Sequence, residues 1–181
     1  MTSQLSPAEI YDSLEKIING YIKALDGYTE EQFSYKPAEE VWSLGQMYEH
    51  LLITANYFFL ANILRCLEQR KGQIGGEKNH YGDNLFKYNG FPPVKLKIPE
   101  VLRGPEPVSQ TPDVYRTALP KVLEDARKLR EPVAQNDGQY RCIQPAFGWL
   151  NAHEWYHLLE MHFRHHLRQQ AELEEMVKNE K

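Results

Sequence analysis

Residues 151–177, NAHEWYHLLEMHFRHHLRQQAELEEMV, decide the fold. Asn151 suits a helix N-cap, and Glu154 follows three residues later to complete a capping box. At about 100° per residue, Trp155, Leu158, Leu159, His162, His166 and Leu173 then fall on one side of the helix. That side is its apolar stripe and is expected to face a core. The same signals open three earlier helices. Ser6-Pro7-Ala8-Glu9 starts one, carried by Ile10, Leu14, Ile17, Tyr21 and Leu25 and stopped at Asp26-Gly27. Ser43-Leu44-Gly45-Gln46 starts the next, which runs to about Gln69 and is apolar on several sides, as a central buried helix is. Thr111-Pro112-Asp113 starts another, reaching about Val133 with a kink expected at Pro120. Almost nothing reads as strand.

Residues 71–110 differ in character, being dominated by glycine, proline and lysine. Structureless loops beyond about 15 residues are uncommon unless they bridge or function. The segment is therefore expected to be a long crossover between the second and third helices. Four helices and one crossover define an all-α four-helix bundle, and 181 residues suit a single domain over 1–181. Tyr81, Phe86, Tyr88 and Phe91 of the crossover need burial. They are expected to pack at the open end of the bundle as a lid, with the lysines outward.

Charge excludes several function classes. Lysine and arginine number 21 against 25 acidic residues, a net charge of -4, with no basic face to hold nucleic acid. The longest apolar stretch, Leu51 to Leu64, is interrupted by Thr54, Asn56 and Asn62 and falls short of the roughly 20 residues of a spanning helix. The N-terminus lacks the basic-then-apolar pattern of a secretory signal. Cys66 and Cys142 form no CxxC motif, so a reduced cytoplasmic protein is expected. No GxSxG, P-loop or dinucleotide fingerprint is present.

The chemistry lies in the seven histidines, five of which fall in the last helix. His153/His157 and His162/His166 both have the i, i+4 spacing that lets two imidazoles share one metal ion. The wheel separates them: His162 and His166 lie on the apolar stripe, whereas His153 and His157 lie opposite and read as solvated. Buried hydrogen bonding of each ring is the plain alternative for the stripe pair. His50, on a comparable face of the second helix beside Gln46, Met47, Thr54, Tyr57 and Ala61, weakens that alternative. Three histidines from two facing helices would leave an ion with open positions, as in a catalytic site.

Trp42-Ser43-Leu44-Gly45-Gln46 followed by His50-Leu51 resembles the W-S-x-x-Q-x-x-x-H-L signature of the DinB-like, or YfiT-type, metalloproteins. Pro145, Phe147-Gly148, Leu150, Glu154-Trp155 and His162-Phe163-Arg164-His165-His166-Leu167 with Gln169 are similar to that family's second block. The resemblance implies a four-helix bundle with a divalent metal on His50, His162 and His166. Relatives often carry arginine directly before the last histidine, where this chain has His165. His165 is therefore a rim residue, a proton shuttle or simply exposed. Relatives also often pair, so a homodimer is expected through the broadly apolar second helix.

Other candidates are less decided. Gln46 caps its helix and is a candidate to face the metal. Tyr57 either lines the pocket or fills the core, and Gln169 suits a hydrogen bond to a ligand or interhelix packing. Trp42 and Trp155 read as packing residues. Three neutral imidazoles leave the ion's charge intact and lower the pKa of a bound thiol or water. One outcome is a metal-dependent transferase that activates a low-molecular-weight thiol for attack on a small electrophile; the wider superfamily includes bacillithiol- and mycothiol-dependent enzymes. A second is a hydrolase that uses metal-activated water on an amide or ester. A third is a non-catalytic, metal-stabilised bundle. With no acidic residue on the His50 or His162 faces to act as general base, thiol transfer is favoured. Histidine-only ligation suits zinc, nickel, copper or iron, and one divalent ion per chain, zinc or nickel, is expected.

Overall fold

The computed structural model describes residues 4–92 and 105–178. It is mostly helical. Helix α1 spans Pro7–Ala24, and a short α2 spans Glu30–Ser34. Helix α3 spans Leu44–Thr54 and continues through a π-helical segment, Ala55–Leu60, into α4 at Ala61–Leu67. Strand β1 (Gln73–Ile74) and helix α5 (His80–Lys87) follow. Helix α6 spans Pro112–Gln135 and runs on through Pro120 and Pro132. The hairpin β2 (Tyr140–Gln144) and β3 (Gly148–Asn151) leads into α7, Ala152–Lys178.

The local signals hold where they are local. Ser6 and Ser43 accept from the backbone N–H groups of Glu9 and Gln46, and each capping box is complete. Asn151 and Glu154 cap α7 reciprocally, each side chain 2.9 Å from the other's backbone N–H. Helix α1 packs against α6 and α7, and α3 packs against the same two. The core between them holds Ile10, Leu14, Ile18, Leu51, Leu119, Val122, Trp155, Leu158 and Leu159, all buried. Trp155 is fully enclosed and meets Phe58 edge-on, ring centroids 5.2 Å apart. Burying side chains of this size contributes roughly 1.5–3 kcal/mol each.

Four expectations need correction. Strand is present: β1, β2 and β3 form an antiparallel sheet in that order, with Ile74 opposite Tyr140 and Cys142 opposite Leu150. Gly148 makes this possible, because at φ +88 an added Cβ would stand 2.7 Å from the Glu77 carbonyl oxygen. The crossover carries secondary structure, since β1 and α5 lie within it, and its residues 93–104 lie outside the described part. The second helix is not enclosed all round, for Ile53, Tyr57 and Leu64 are exposed. Finally, Leu44–Leu67 is long and apolar enough to cross a membrane by length and composition, because the helical stretch extends beyond Leu51–Leu64 at both ends. Its inner side packs on α6 and α7.

Candidate metal centre

His50 stands near the middle of α3, and His162 and His166 lie one turn apart on α7. The fold brings them together. The Nε2 atom of His162 is 3.1 Å from that of His50 and 3.2 Å from that of His166. Among the described residues, these three form the group whose ligand atoms all lie within 4.8 Å of one another, and no carboxylate or thiol joins them.

The donor set suits a metal ion. His166 Nδ1 is 2.7 Å from Gln169 Oε1, an acceptor, so that nitrogen carries the ring proton and Nε2 keeps its lone pair. A proton on one ring can relieve one of the crowded Nε2 contacts, whereas a divalent ion satisfies all three. Zinc–nitrogen bonds of 2.0–2.1 Å in tetrahedral geometry place ligand nitrogens about 3.3 Å apart, close to the spacing here. Burial holds His50 down to about 4, assisted by His165, and His166 down to about 3, assisted by His50. It pushes His162 well below the ordinary value, with His166 and His50 adding to the effect. All three rings are therefore neutral donors at neutral pH.

Aromatic rings enclose the cluster. Trp42 packs on His50 with ring centroids 5.1 Å apart, so it touches the site as well as its own helix. Phe59 lies 4.9 Å from His162 and was not expected there. Phe59 and Tyr57 both lie in the π-helical segment Ala55–Leu60, where the α-helical wheel drawn from His50 does not hold. A wider turn carries each residue through less than 100°, so Tyr57 falls outside the α-helical extrapolation from His50. Tyr57 is 77% exposed and lines nothing.

Gln46 does not face the cluster. Its Oε1 accepts from the Ser43 N–H, and its Nε2 donates to Glu106 and to the Pro107 carbonyl. Gln169 does reach a ring, as the hydrogen bond to His166 shows. His165 is half-buried against Phe91, 4.8 Å away, and against His166, 5.2 Å away.

His157 is buried and His153 is half-buried, where both were expected to be solvated. His153 lies 2.8 Å from the Leu5 carbonyl and 2.7 Å from Gln4 Nε2, fastening the chain's beginning. His157 is 6% exposed, under Phe86, and its Nε2 has no hydrogen-bond partner among the described residues. The wheel assumed one core, but α5 and the residues before α1 cover the other side of α7.

The crossover aromatics divide. Phe91 approaches His162 at 6.5 Å and His165 at 4.8 Å, and Phe86 packs on His157. Tyr81 and Tyr88 are exposed instead of buried. Lys78 points inward to an ion pair with Glu154.

A mostly helical protein with a partly buried three-histidine cluster is the class that this geometry defines. A family profile described as the DinB superfamily matches residues 13–170, and the chain belongs to that superfamily. No curated protein and no solved structure matches it.

Proposed function

We propose that the chain is a metal-dependent transferase that carries a low-molecular-weight thiol to a small electrophile. The carrying observation is a donor set of three neutral imidazoles with no carboxylate in the group among the described residues. His50, His162 and His166 would hold one divalent ion, zinc or nickel by ligand type. Such an ion keeps its full double charge on neutral ligands and stabilises a thiolate at neutral pH. The chain's own part is positioning: Gln169 fixes the His166 tautomer, while Trp42, Phe59 and Phe91 exclude water from the rings. In the transfer, sulfur bonds to the electrophilic carbon, the leaving group departs with its electron pair, and the thiol proton passes to solvent. Hydrolysis of an amide or ester is aided by a carboxylate base beside the attacking water, and among the described residues no carboxylate joins this group.

The reading includes a single four-helix-bundle domain, a cytoplasmic setting and a homodimer. The exposed Ile53, Tyr57 and Leu64 on the outer side of the second helical stretch support pairing there. Metal analysis of untagged protein, followed by a panel of thiols against small electrophiles, tests the function. Bound metal with thiol-dependent turnover is expected. Turnover of esters or amides without thiol would overturn the reading.

A further inference from the structure

Beside the three histidines lies a second feature that their chemistry does not use. Between the end of α5 and α7 is a pocket of about 190 Å³, with Met161, Gly90 and Phe91 among its walls and Arg164, His165 and Arg168 along one side. It adjoins the three-histidine cluster, with Phe91 and His165 standing between the two: Phe91 lies 6.5 Å from His162 and 4.8 Å from His165, and His165 lies 5.2 Å from His166. A reactant at the histidines that reaches past these two rings would place an arm in the pocket.

The hydrogen-bonding capacity of this wall is partly unspent. Arg164 uses Nε and Nη2 on the buried Glu160, and Nη2 also reaches the carbonyl and side-chain oxygens of Asn89. Its Nη1 has no hydrogen bond among the described residues and lies against Gly90. Arg168 has Nε 3.6 Å from Glu172, a loose and half-exposed pair, and neither Nη donates to a described residue. Glu160 is neutralised by Arg164 and also accepts from Ser13, so it does not cancel Arg168. A guanidinium with free Nη donors at the edge of a small pocket matches a carboxylate, which accepts two parallel N–H bonds. The volume suits an amino-acid-sized arm.

We propose that this pocket is a carboxylate subsite for the reactant held at the three histidines, with Arg168 as the specificity-determining residue. The assignment rests on the thiol-transfer reading for what the carboxylate is attached to. It makes the substrate class an acidic low-molecular-weight thiol, in preference to a neutral one.

The test uses zinc-loaded protein and three probes measured by isothermal titration: glutathione, its diethyl ester and S-methylglutathione. Arg168 is half exposed, so R168A is expected to fold. Loss of one charge-assisted contact is expected to weaken glutathione binding about tenfold in R168A, with partial recovery in R168K. The diethyl ester is expected to bind weakly and equally to both proteins. S-methylglutathione has the carboxylates without a free thiol and is expected to show the same Arg168 dependence. Wild-type protein that binds glutathione no better than its diethyl ester overturns the subsite, as does unchanged glutathione affinity in R168A. Arg168-dependent binding of S-methylglutathione without turnover of any thiol supports the subsite and removes the transfer reading.

Discussion

Gln169→Ala isolates a side chain that fixes a ring of the cluster. In the native protein Gln169 Oε1 sits 2.7 Å from His166 Nδ1, which assigns the proton to Nδ1 and leaves Nε2 as donor. Without the amide oxygen, His166 gains the other tautomer, in which Nε2 carries the proton and cannot bind a cation. Removing an outer hydrogen bond of this kind typically lowers metal affinity 10–100-fold. Gln169 is only half-buried, so water can take over part of the bond, and the lower end, about tenfold, applies. In free energy that is about 1.4 kcal/mol, within the range of a single hydrogen bond. Competition with a chromophoric zinc chelator at neutral pH measures it directly. The native fold is expected to be retained, because Gln169 is only half-buried. An affinity within twofold of wild type would refute the tautomer argument, and a loss as large as that of H166A would refute the claim that Gln169 acts through the ring.

H50A, H162A and H166A are each expected to abolish stoichiometric metal binding, whereas H153A and H157A retain it; elemental analysis decides. His157 also predicts a pH response. Burial holds it down to about 4, against 6.5 in an unfolded chain, with Glu160 opposing the shift in part. Stability present above pH 6.5 is therefore lost as pH falls toward 4, because the unfolded chain takes up a proton that the folded ring refuses. At about pH 5 the loss from this ring is about 2 kcal/mol, and urea denaturation is expected to show H157F spared that share. Equal acid sensitivity in both proteins would count against it. Both cysteines are buried, and burial raises the Cys66 thiol, so neither is expected to alkylate in the native protein. Mass spectrometry after iodoacetamide treatment checks this. Light scattering is expected to give about twice the 21.2 kDa chain mass, reduced to one chain by I53E; a wild-type monomer at high concentration overturns the dimer.

What the sequence by itself determined is local. Caps at Ser6, Ser43 and Asn151 satisfy N–H groups within the next turn, so their signatures are legible without a partner. The same holds for His162 and His166, whose i, i+4 spacing sets them side by side on any straight helix. His50 was legible through its face and through the Trp42-to-Leu51 pattern. Tertiary structure decided what depends on distant chain. His157 is buried because α5 and Phe86 cover it, and no wheel of α7 contains that cover. Gln46 spends its amide on Glu106 and Pro107, residues far along the chain. Phe59 rather than Tyr57 stands at the site, within a π-helical turn that leaves no compositional mark and to which an α-helical wheel does not apply. The sheet was hidden for a related reason. Its strands are two to five residues long and gain their hydrogen bonds from each other, Gln73 opposite Arg141, so neither segment shows a strand on its own.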